Sequence, residues 1–261
     1  ITATPRAPRA LAFNETSTVP GVPFTRLLAV EARKLVNTRA GRWVIALSLL
    51  GSVLAVAGAM ALIDNPTGHA LFDFAIAPVG LMMPVVTILA ATAEWSQRTG
   101  LITFALEPRR GRVVGAKLVV AMLLGALTVV VGIALAGAAY GIALATGSAA
   151  GWELTWQVVA GNSVVMLAGM LQAAAFAFAL LNTPAAIVAY FLVPTVVSIA
   201  TSLSGWLAER AAWVDVSSAG IPFSLGQFST SGWAHLATAS AIWILIPLVA
   251  GVARVLRSEI K

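Results

Sequence analysis

The chain has 261 residues, of which 59% are apolar and 10% are charged. A soluble domain is usually about 45–50% apolar and about 25% charged, so this composition excludes a water-soluble protein and predicts an integral membrane protein. The formal net charge is +6, and cysteine is absent, which excludes disulfides, thiolate metal sites and cysteine nucleophiles.

The chain starts with a segment, 1–22, that is rich in Pro, Ala and Thr and has no apolar run of signal-peptide length. We expect a flexible cytoplasmic tail there. The next segment, 23–42, is predicted to form an amphipathic helix in the membrane interface. Four of its apolar residues share one helical face: Phe24, Leu27, Leu28 and Leu35.

Glu31 projects from the middle of that apolar face, and two interpretations remain open. The carboxylate either reaches the interface or pairs with Lys34, or the face meets another protein and Glu31 pairs there. Arg98 and Arg109 of a later loop are candidate partners in the second case.

Six apolar stretches are long enough to cross a bilayer, which takes about 20 residues. The predicted spans are 43–63, 74–93, 114–140, 156–181, 185–203 and 235–253. Together, 43–253 form one transmembrane domain. Only a few residues separate the fourth and fifth spans, and Pro184 suits the first turn of a helix, so we predict a tight turn there.

The loop 94–117 is too polar to span the membrane and too apolar for a freely solvated loop. It contains a short apolar segment that Pro108 ends, composed of Leu101, Ile102, Phe104, Ala105 and Leu106. A short helix with an exposed apolar face needs a partner. Lipid headgroups are the alternative partner for the basic end of this loop.

The outer loop 204–234 carries several aromatic residues among small polar ones. It is long for a link between neighbouring spans, so we expect it to fold back onto the outer leaflet or to cap the bundle. The segment 254–261 is predicted to be a cytoplasmic tail.

Basic residues favour one orientation of the spans. With the N-terminus inside, 15 of the 16 Lys and Arg residues lie on the cytoplasmic side and only Arg210 lies outside. Acidic residues divide evenly between the two sides, as the positive-inside rule allows. We therefore predict a multi-pass membrane protein with both termini in the cytoplasm. The same rule explains the net charge without a nucleic-acid partner.

Several kinds of chemistry have no basis in this sequence. No charged residue lies between Glu153 and Glu209, so a midplane carboxylate for ion coupling is missing there. The chain has neither a Gly-x4-Gly-Lys-Ser/Thr loop for ATP nor a His-Glu-x-x-His motif for zinc. We predict that the chain is not an enzyme and that it holds no cofactor or metal of its own.

Three stretches resemble the permease subunits of type-2 ABC exporters, in which the ATPase is a separate chain. Residues 27–34 are similar to the family's connecting helix before span one. The run from Glu94 through Thr99-Gly100 to Pro108-Arg109-Arg110, with Gly115-Ala116-Lys117 after it, is similar to its loop between spans two and three. Residues 180–186 are similar to its turn between spans four and five. The order Thr99-Gly100 departs from the family, in which many members have Gly before Thr.

The resemblance implies an all-α membrane protein with six transmembrane helices, as in type V ABC exporters. An N-terminal amphipathic helix, a cytoplasmic coupling helix between spans two and three and an outer re-entrant or capping segment before span six complete this fold. It also implies alternating access, in which a drug, antibiotic, peptide or lipid crosses the plasma membrane of a bacterium. ATP and Mg would be bound by the partner ATPase subunits, and a second permease, identical or homologous, would complete the pathway.

The resemblance also implies two groups of site residues. The first couples the permease to the ATPase: Glu31, Glu94, Arg98, Gly100, Phe104, Leu106, Pro108, Arg109 and Arg110. The second lines an apolar substrate pathway between two permeases, on spans two and five: Met82, Met83, Phe191, Pro194, Thr195 and Ser198. Prolines permit bending in a gate, and methionine adapts to varied apolar shapes.

Two other functions stay open at this point. One is an ion-coupled transporter or channel, against which the missing midplane carboxylate counts. The other is a non-transporting membrane subunit with an assembly or sensory role.

Overall fold

The computed structural model describes residues 22–203 and 205–257, and the regular structure in these residues is helical. Six segments are long and apolar enough to span a membrane. They are α2 (Arg39–Leu62), α3 (Gly68–Ala91), α6 (Arg110–Ala145), α7 (Trp156–Leu180), α8 (Thr183–Leu203) and the segment Thr230–Arg257. Each overlaps one predicted span, so the prediction of six apolar helices long enough to cross a membrane is confirmed.

The remaining helices are shorter, and the last span is divided. The short helices are α1 (Phe24–Asn37), α4 (Ala93–Ser96), α5 (Gly100–Leu106), α9 (Gly205–Ala208), α10 (Ala211–Val214) and α11 (Val216–Ser224). The last span consists of α12 (Thr230–Ser240), a π-helical segment (Ala241–Leu245) and α13 (Ile246–Arg257). The predicted tails 1–22 and 254–261 lie outside the described residues, except for Val22 and 254–257.

The amphipathic helix ends earlier than 42, because Thr38 interrupts it. Thr38 has an extended backbone, and its side chain accepts a hydrogen bond from the backbone N–H of Gly41. This residue therefore caps α2 and turns the chain from α1 into the first span.

The core is built around α3, which packs against α2, α6 and α7. Phe72 and Ile88 of α3 are fully buried. Small residues let the neighbouring helices approach closely: a Cβ added at Gly132 of α6 would lie 3.3 Å from the side chain of Phe72. The part of α7 that faces α3 and α13 is formed largely by alanines: Ala173, Ala174, Ala175 and Ala177.

One end of the bundle, which we call the basic end, holds α1, α4, α5, the start of α6 and the end of α13. Hydroxyl groups of Thr92 and Thr183 lie 2.6 Å apart there, and Arg254 donates to the Ala179 carbonyl at 2.6 Å. Among the residues that the structure describes, every Lys and Arg except Arg210 lies on these elements, on the short links that flank α5 or on the first turn of α2.

The turn between α7 and α8 has the predicted tight form. Leu181 adopts a left-handed conformation with φ of 52°, and the Asn182 side chain accepts a hydrogen bond from the backbone N–H of Ala185 at 3.0 Å. Pro184 lies in the first turn of α8, where its missing N–H costs no hydrogen bond.

At the opposite end, the described part of the loop 204–234 folds back onto α7 and α12. Asp215 caps α11 by accepting from the backbone N–H groups of Ser217 and Ser218 at 3.1 Å. Phe223 of α11 is fully buried, and a Cβ at Gly161 of α7 would overlap its backbone carbonyl. The expected packing of this loop against the bundle is therefore present.

Candidate functional site at the basic end

The apolar face of α1 is turned toward the spans. Leu28 and Leu35 are half-buried, and Glu31 between them is 4% exposed. The helix packs against α6, α2 and α3. The protein that this face meets is therefore the chain's own transmembrane bundle.

Glu31 belongs to a cluster of two carboxylates and two ammonium groups, which we call the ion cluster. Glu31, Glu94 and Lys117 are buried, and Lys34 is half-buried. Lys34 donates to Glu31 at 2.6 Å and to Glu94 at 2.7 Å. Lys117 donates to the second oxygen of Glu31 at 2.9 Å. Its ammonium also lies 2.9 Å from the second oxygen of Glu94, an ion pair without hydrogen-bond geometry. The formal charges in this cluster cancel.

The ion cluster ties together elements that are distant in sequence. Glu94 stands in α4, directly after the second span, and Lys117 stands two turns into α6. Lys117 also donates to the carbonyl of Ala90 at the end of α3, at 2.7 Å. Through these bonds, α1 is held to α3, α4 and α6 at one point.

Both pKa shifts in the ion cluster have opposing causes. Burial alone would raise the pKa of Glu94, but the ammonium groups of Lys117 and Lys34 outweigh it and hold the pKa below its ordinary 4.5. Burial would lower the pKa of Lys34, and the carboxylates of Glu94 and Glu31 raise it above 10.5. Both groups therefore stay charged at neutral pH.

Helix α5 carries an exposed apolar surface outside the spans. Its members are Leu101, Ile102 and Leu106, of which Leu106 is 73% exposed. Phe104 is half-buried beneath the guanidinium of Arg110, which lies 5.0 Å from its ring centroid. Gly100 is buried at the start of the helix. We call the exposed side chains of Leu101, Ile102 and Leu106 the α5 patch.

The α5 patch is held in place by its flanks. On the far side, the buried carboxylate of Glu107 accepts from Arg112 at 2.8 Å, and Arg112 also donates to the Val22 carbonyl at 2.6 Å. Arg110 donates to the carbonyl of Val255 in α13 at 3.0 Å. On the near side, α4 joins the ion cluster through Glu94. The segment that carries the patch is thus bonded to Val22 near the start of the described residues and to α13 near their end.

The predicted coupling residues fall into two neighbouring groups. Glu31 and Glu94 meet in the ion cluster, whereas Gly100, Phe104, Leu106, Pro108, Arg109 and Arg110 lie on or beside α5. Arg98 joins α4 to α5 with a left-handed backbone, φ of 56°.

The pairing of Glu31 with Lys34 was one of the two interpretations, and the structure contains it. The other bond to Glu31 comes from Lys117 and not from Arg98 or Arg109. The sequence predicts Lys117 only as a charge of the loop 94–117 and as part of the resemblance to the family's loop, with no partner assigned. The available signal was its position inside an apolar stretch, where an ammonium group needs a partner.

The predicted pathway residues do not share one surface. Met83 is 3% exposed and packs against Val79, Val86, Ala121 and Met170 within the chain's own core. On α8, Phe191 and Pro194 are half-buried, and Thr195 and Ser198 are exposed. Met83 therefore lies away from the exposed face of α8, and Met82 is half-buried beside it.

Within residues 22–203 and 205–257, no group of three or more His, Asp or Glu side chains is placed to hold a metal ion. No model of a known protein family matches the chain, and no curated protein matches it either.

Proposed function

We propose that this chain is the permease subunit of an ATP-driven ABC exporter whose ATPase is a separate subunit. In this proposal the basic end faces the cytoplasm of a bacterium, and the spans cross its plasma membrane. The substrate is amphipathic or hydrophobic, of the kind represented by drugs, antibiotics, peptides and lipids.

The observation that carries the proposal is the α5 patch. Three large apolar side chains stand exposed on a short helix that lies outside the apolar spans. An apolar surface in water is stabilised by a protein partner that covers it. Because the patch is held by bonds on both flanks, force applied to it by a partner is passed to the bundle rather than lost in a loose loop.

The ion cluster supplies the path along which such force acts. A push on α5 reaches Glu94 through the adjoining α4, and Glu94 is bonded to Lys34 of α1 and paired with Lys117 of α6. Displacement of α4 therefore moves an interfacial helix and a span together. ATP binding and hydrolysis in the partner would favour one of two states of the bundle, which is the basis of alternating access.

The charge distribution of the spans favours ATP over an ion gradient as the energy source. The ionisable side chains that meet on the long helices stand near the helix ends. They include His69 and Asp73 in the first turns of α3 and Lys117 with its partners at the basic end. The stretch from Glu153 to Glu209 contains no charge between those residues. A pathway lined by such spans suits an apolar or amphipathic substrate.

The exposed face of α8 supports pairing with a second permease. This helix is the least buried of the six spans. Its exposed side combines large aliphatic residues with small hydroxyls: Val188, Leu192, Thr195, Val196, Ser198 and Ile199. We place the substrate pathway beside this face, bordered by Phe191 and Thr195, and leave the buried Met83 out of it.

The test is purification of the tagged chain from its native membrane in a mild detergent. The proposal predicts a protein with a P-loop ATPase sequence in fixed stoichiometry with the chain. Transport by the purified chain alone, driven by an ion gradient, would support an ion-coupled transporter instead. A stable complex without an ATPase would support an assembly or sensory subunit.

A further inference from the structure

An apolar groove opens toward the membrane between α1, α2, α3 and α6. Its volume is about 380 Å³, within the range of about 300–1,000 Å³ typical of small-ligand sites. Leu35 and Val36 of α1 border one end, at the level of the ion cluster, and Met83 forms part of the inner wall. The outer edges are exposed leucines, Leu123 and Leu127 of α6.

The length of the groove matches one leaflet of a bilayer. Along α6 it extends from Val120 to Val131, and eleven residues of α-helix rise about 16 Å. The hydrocarbon core of a bilayer is about 30 Å thick, so one leaflet contributes about 15 Å. The groove begins beside α1, which is outside the spans, and ends near mid-membrane. An extended acyl chain from the leaflet at the basic end has these dimensions.

A cationic and aromatic site lies next to the groove where α2 begins. Arg39, Arg42, Trp43 and Ala46 border an open surface depression of about 530 Å³ there. Arg42 shares a helical face with Ile45 and Leu49, which line the groove, because residues three and seven positions apart stack along a helix. The apolar α2 wall of the groove therefore continues into Arg42.

Both arginines are available to a ligand. Among the residues that the structure describes, neither Arg39 nor Arg42 has an ion-pair partner. Trp43 is 68% exposed, and exposed tryptophan is favoured at the level of lipid headgroups. Guanidinium groups bind phosphate through paired hydrogen bonds.

We propose that this composite site binds one anionic phospholipid of the leaflet at the basic end. One acyl chain fills the groove beneath α1, and the phosphate and anionic headgroup contact Arg39 and Arg42. The lipid packs between α1 and the spans, beside the ion cluster, and so stabilises α1 in the position that the structure shows. This inference depends on the membrane-spanning character of the helices and not on the identity of the energy source.

The experiment compares phosphatidylglycerol with phosphatidylcholine of the same acyl chains, added to the delipidated full chain in detergent. Native mass spectrometry counts bound lipid, and thermal unfolding reports the stabilisation that binding causes. We expect one phosphatidylglycerol to be retained in preference to phosphatidylcholine. Two basic residues near a headgroup are worth about 1 kcal/mol each, so R39Q/R42Q is expected to reduce the preference by roughly tenfold or more.

Two further variants separate this site from general surface attraction. R26Q/R33Q removes the same charge from the exposed face of α1 and is expected to keep the preference. Leu127→Trp fills the groove at its lipid-exposed edge and is expected to weaken binding of both lipids. The proposal is overturned if the wild-type chain binds the two lipids equally, if R26Q/R33Q loses as much as R39Q/R42Q, or if Leu127→Trp leaves binding unchanged.

Discussion

Glu31, Lys34, Glu94 and Lys117 share one site, in which each carboxylate contacts both ammonium groups within 2.9 Å and only Lys34 is partly exposed. Removing such groups from water is costly, and the mutual contacts offset that cost only while all four charges are present. The ion cluster is therefore sensitive to the loss of any single member. Because all four charges meet only when α1 is in this position, the ion cluster favours this position of α1 over others.

Replacing Glu94 with Gln leaves two ammonium groups facing one carboxylate in a buried site. We expect Glu94→Gln to lower the free energy of unfolding by about 3–5 kcal/mol, measured by denaturation in mixed detergent. Glu209→Gln, at an exposed carboxylate, is expected to have almost no effect. The double variant E94Q/K117M is expected to cost less than the sum of its single changes, because it removes opposite charges together. A cost below about 1 kcal/mol for E94Q would contradict this account of the cluster.

The pKa shifts predict how the cluster responds to pH. The pKa of Glu94 is lower in the folded chain than its ordinary 4.5, so its stabilising effect is present above that pH and is lost as pH falls through the folded value. The pKa of Lys34 is raised above 10.5, so its effect is present below that pH and is lost as pH rises further. We expect the stability difference between wild type and Glu94→Gln to be constant at intermediate pH and to narrow below 4.5. If wild type and Glu94→Gln were already equally stable at neutral pH, the lowered pKa of Glu94 would be contradicted.

Helix α5 presents its patch because its other side is anchored. Phe104 packs under Arg110 and lies 6.4 Å from Trp95, centroid to centroid, whereas Leu106 faces away from the bundle. A change at Phe104 therefore affects the fold of the loop as well as any partner. Leu106 and Ile102 report on docking alone.

We expect Leu106→Asp to abolish association with the ATPase while leaving membrane insertion and thermal stability unchanged, because the charge falls on an exposed surface. Leu225→Asp places the same change at an exposed leucine at the end of the bundle opposite the basic end. That variant is expected to retain the ATPase. The measurement is the amount of ATPase recovered with each tagged variant, and equal recovery from both would argue against docking at α5.

At the level of elements, hydropathy predicted the six spans, because burial in lipid is recorded in the composition of each segment alone. The amphipathic pattern of α1 likewise predicted an apolar face with Glu31 in its middle. Lys117 and Glu31 are 86 positions apart, and their contact depends on how α1 packs against α6. No local pattern contains that packing, so the ion cluster was only half predicted.

Met83 is a residue whose burial was not predicted, because sequence patterns do not contain tertiary packing. Its side chain and that of Met82 were predicted to line the pathway, since the resemblance places span two there and methionine adapts to varied apolar shapes. Adjacent residues on a helix point about 100° apart, and the bundle places Met83 inward. The amount of exposed face on each span depends on tertiary packing, which the hydropathy of a single segment does not report.

At the level of the whole molecule, α8 is the span that the rest of the chain buries least. If two chains pair along it, cysteines at Thr195 and Ser198 are expected to form crosslinked dimers in native membranes. Val130→Cys, exposed on α6, is the matched control and is expected to stay monomeric. The chain contains no native cysteine, so each crosslink reports on one position. Crosslinking at Val130 but at neither α8 position would move the pairing surface to α6.

The central claim is that ATP hydrolysis by a separate subunit drives a conformational change of this bundle, and that α5 transmits the force. Its most direct measurement is vanadate-sensitive ATP hydrolysis by the assembly purified on the tagged chain and returned to lipid vesicles. We predict hydrolysis with the wild-type chain and with Leu225→Asp, and its loss with Leu106→Asp. A correctly folded wild-type assembly from the native membrane that hydrolyses no ATP would contradict the claim.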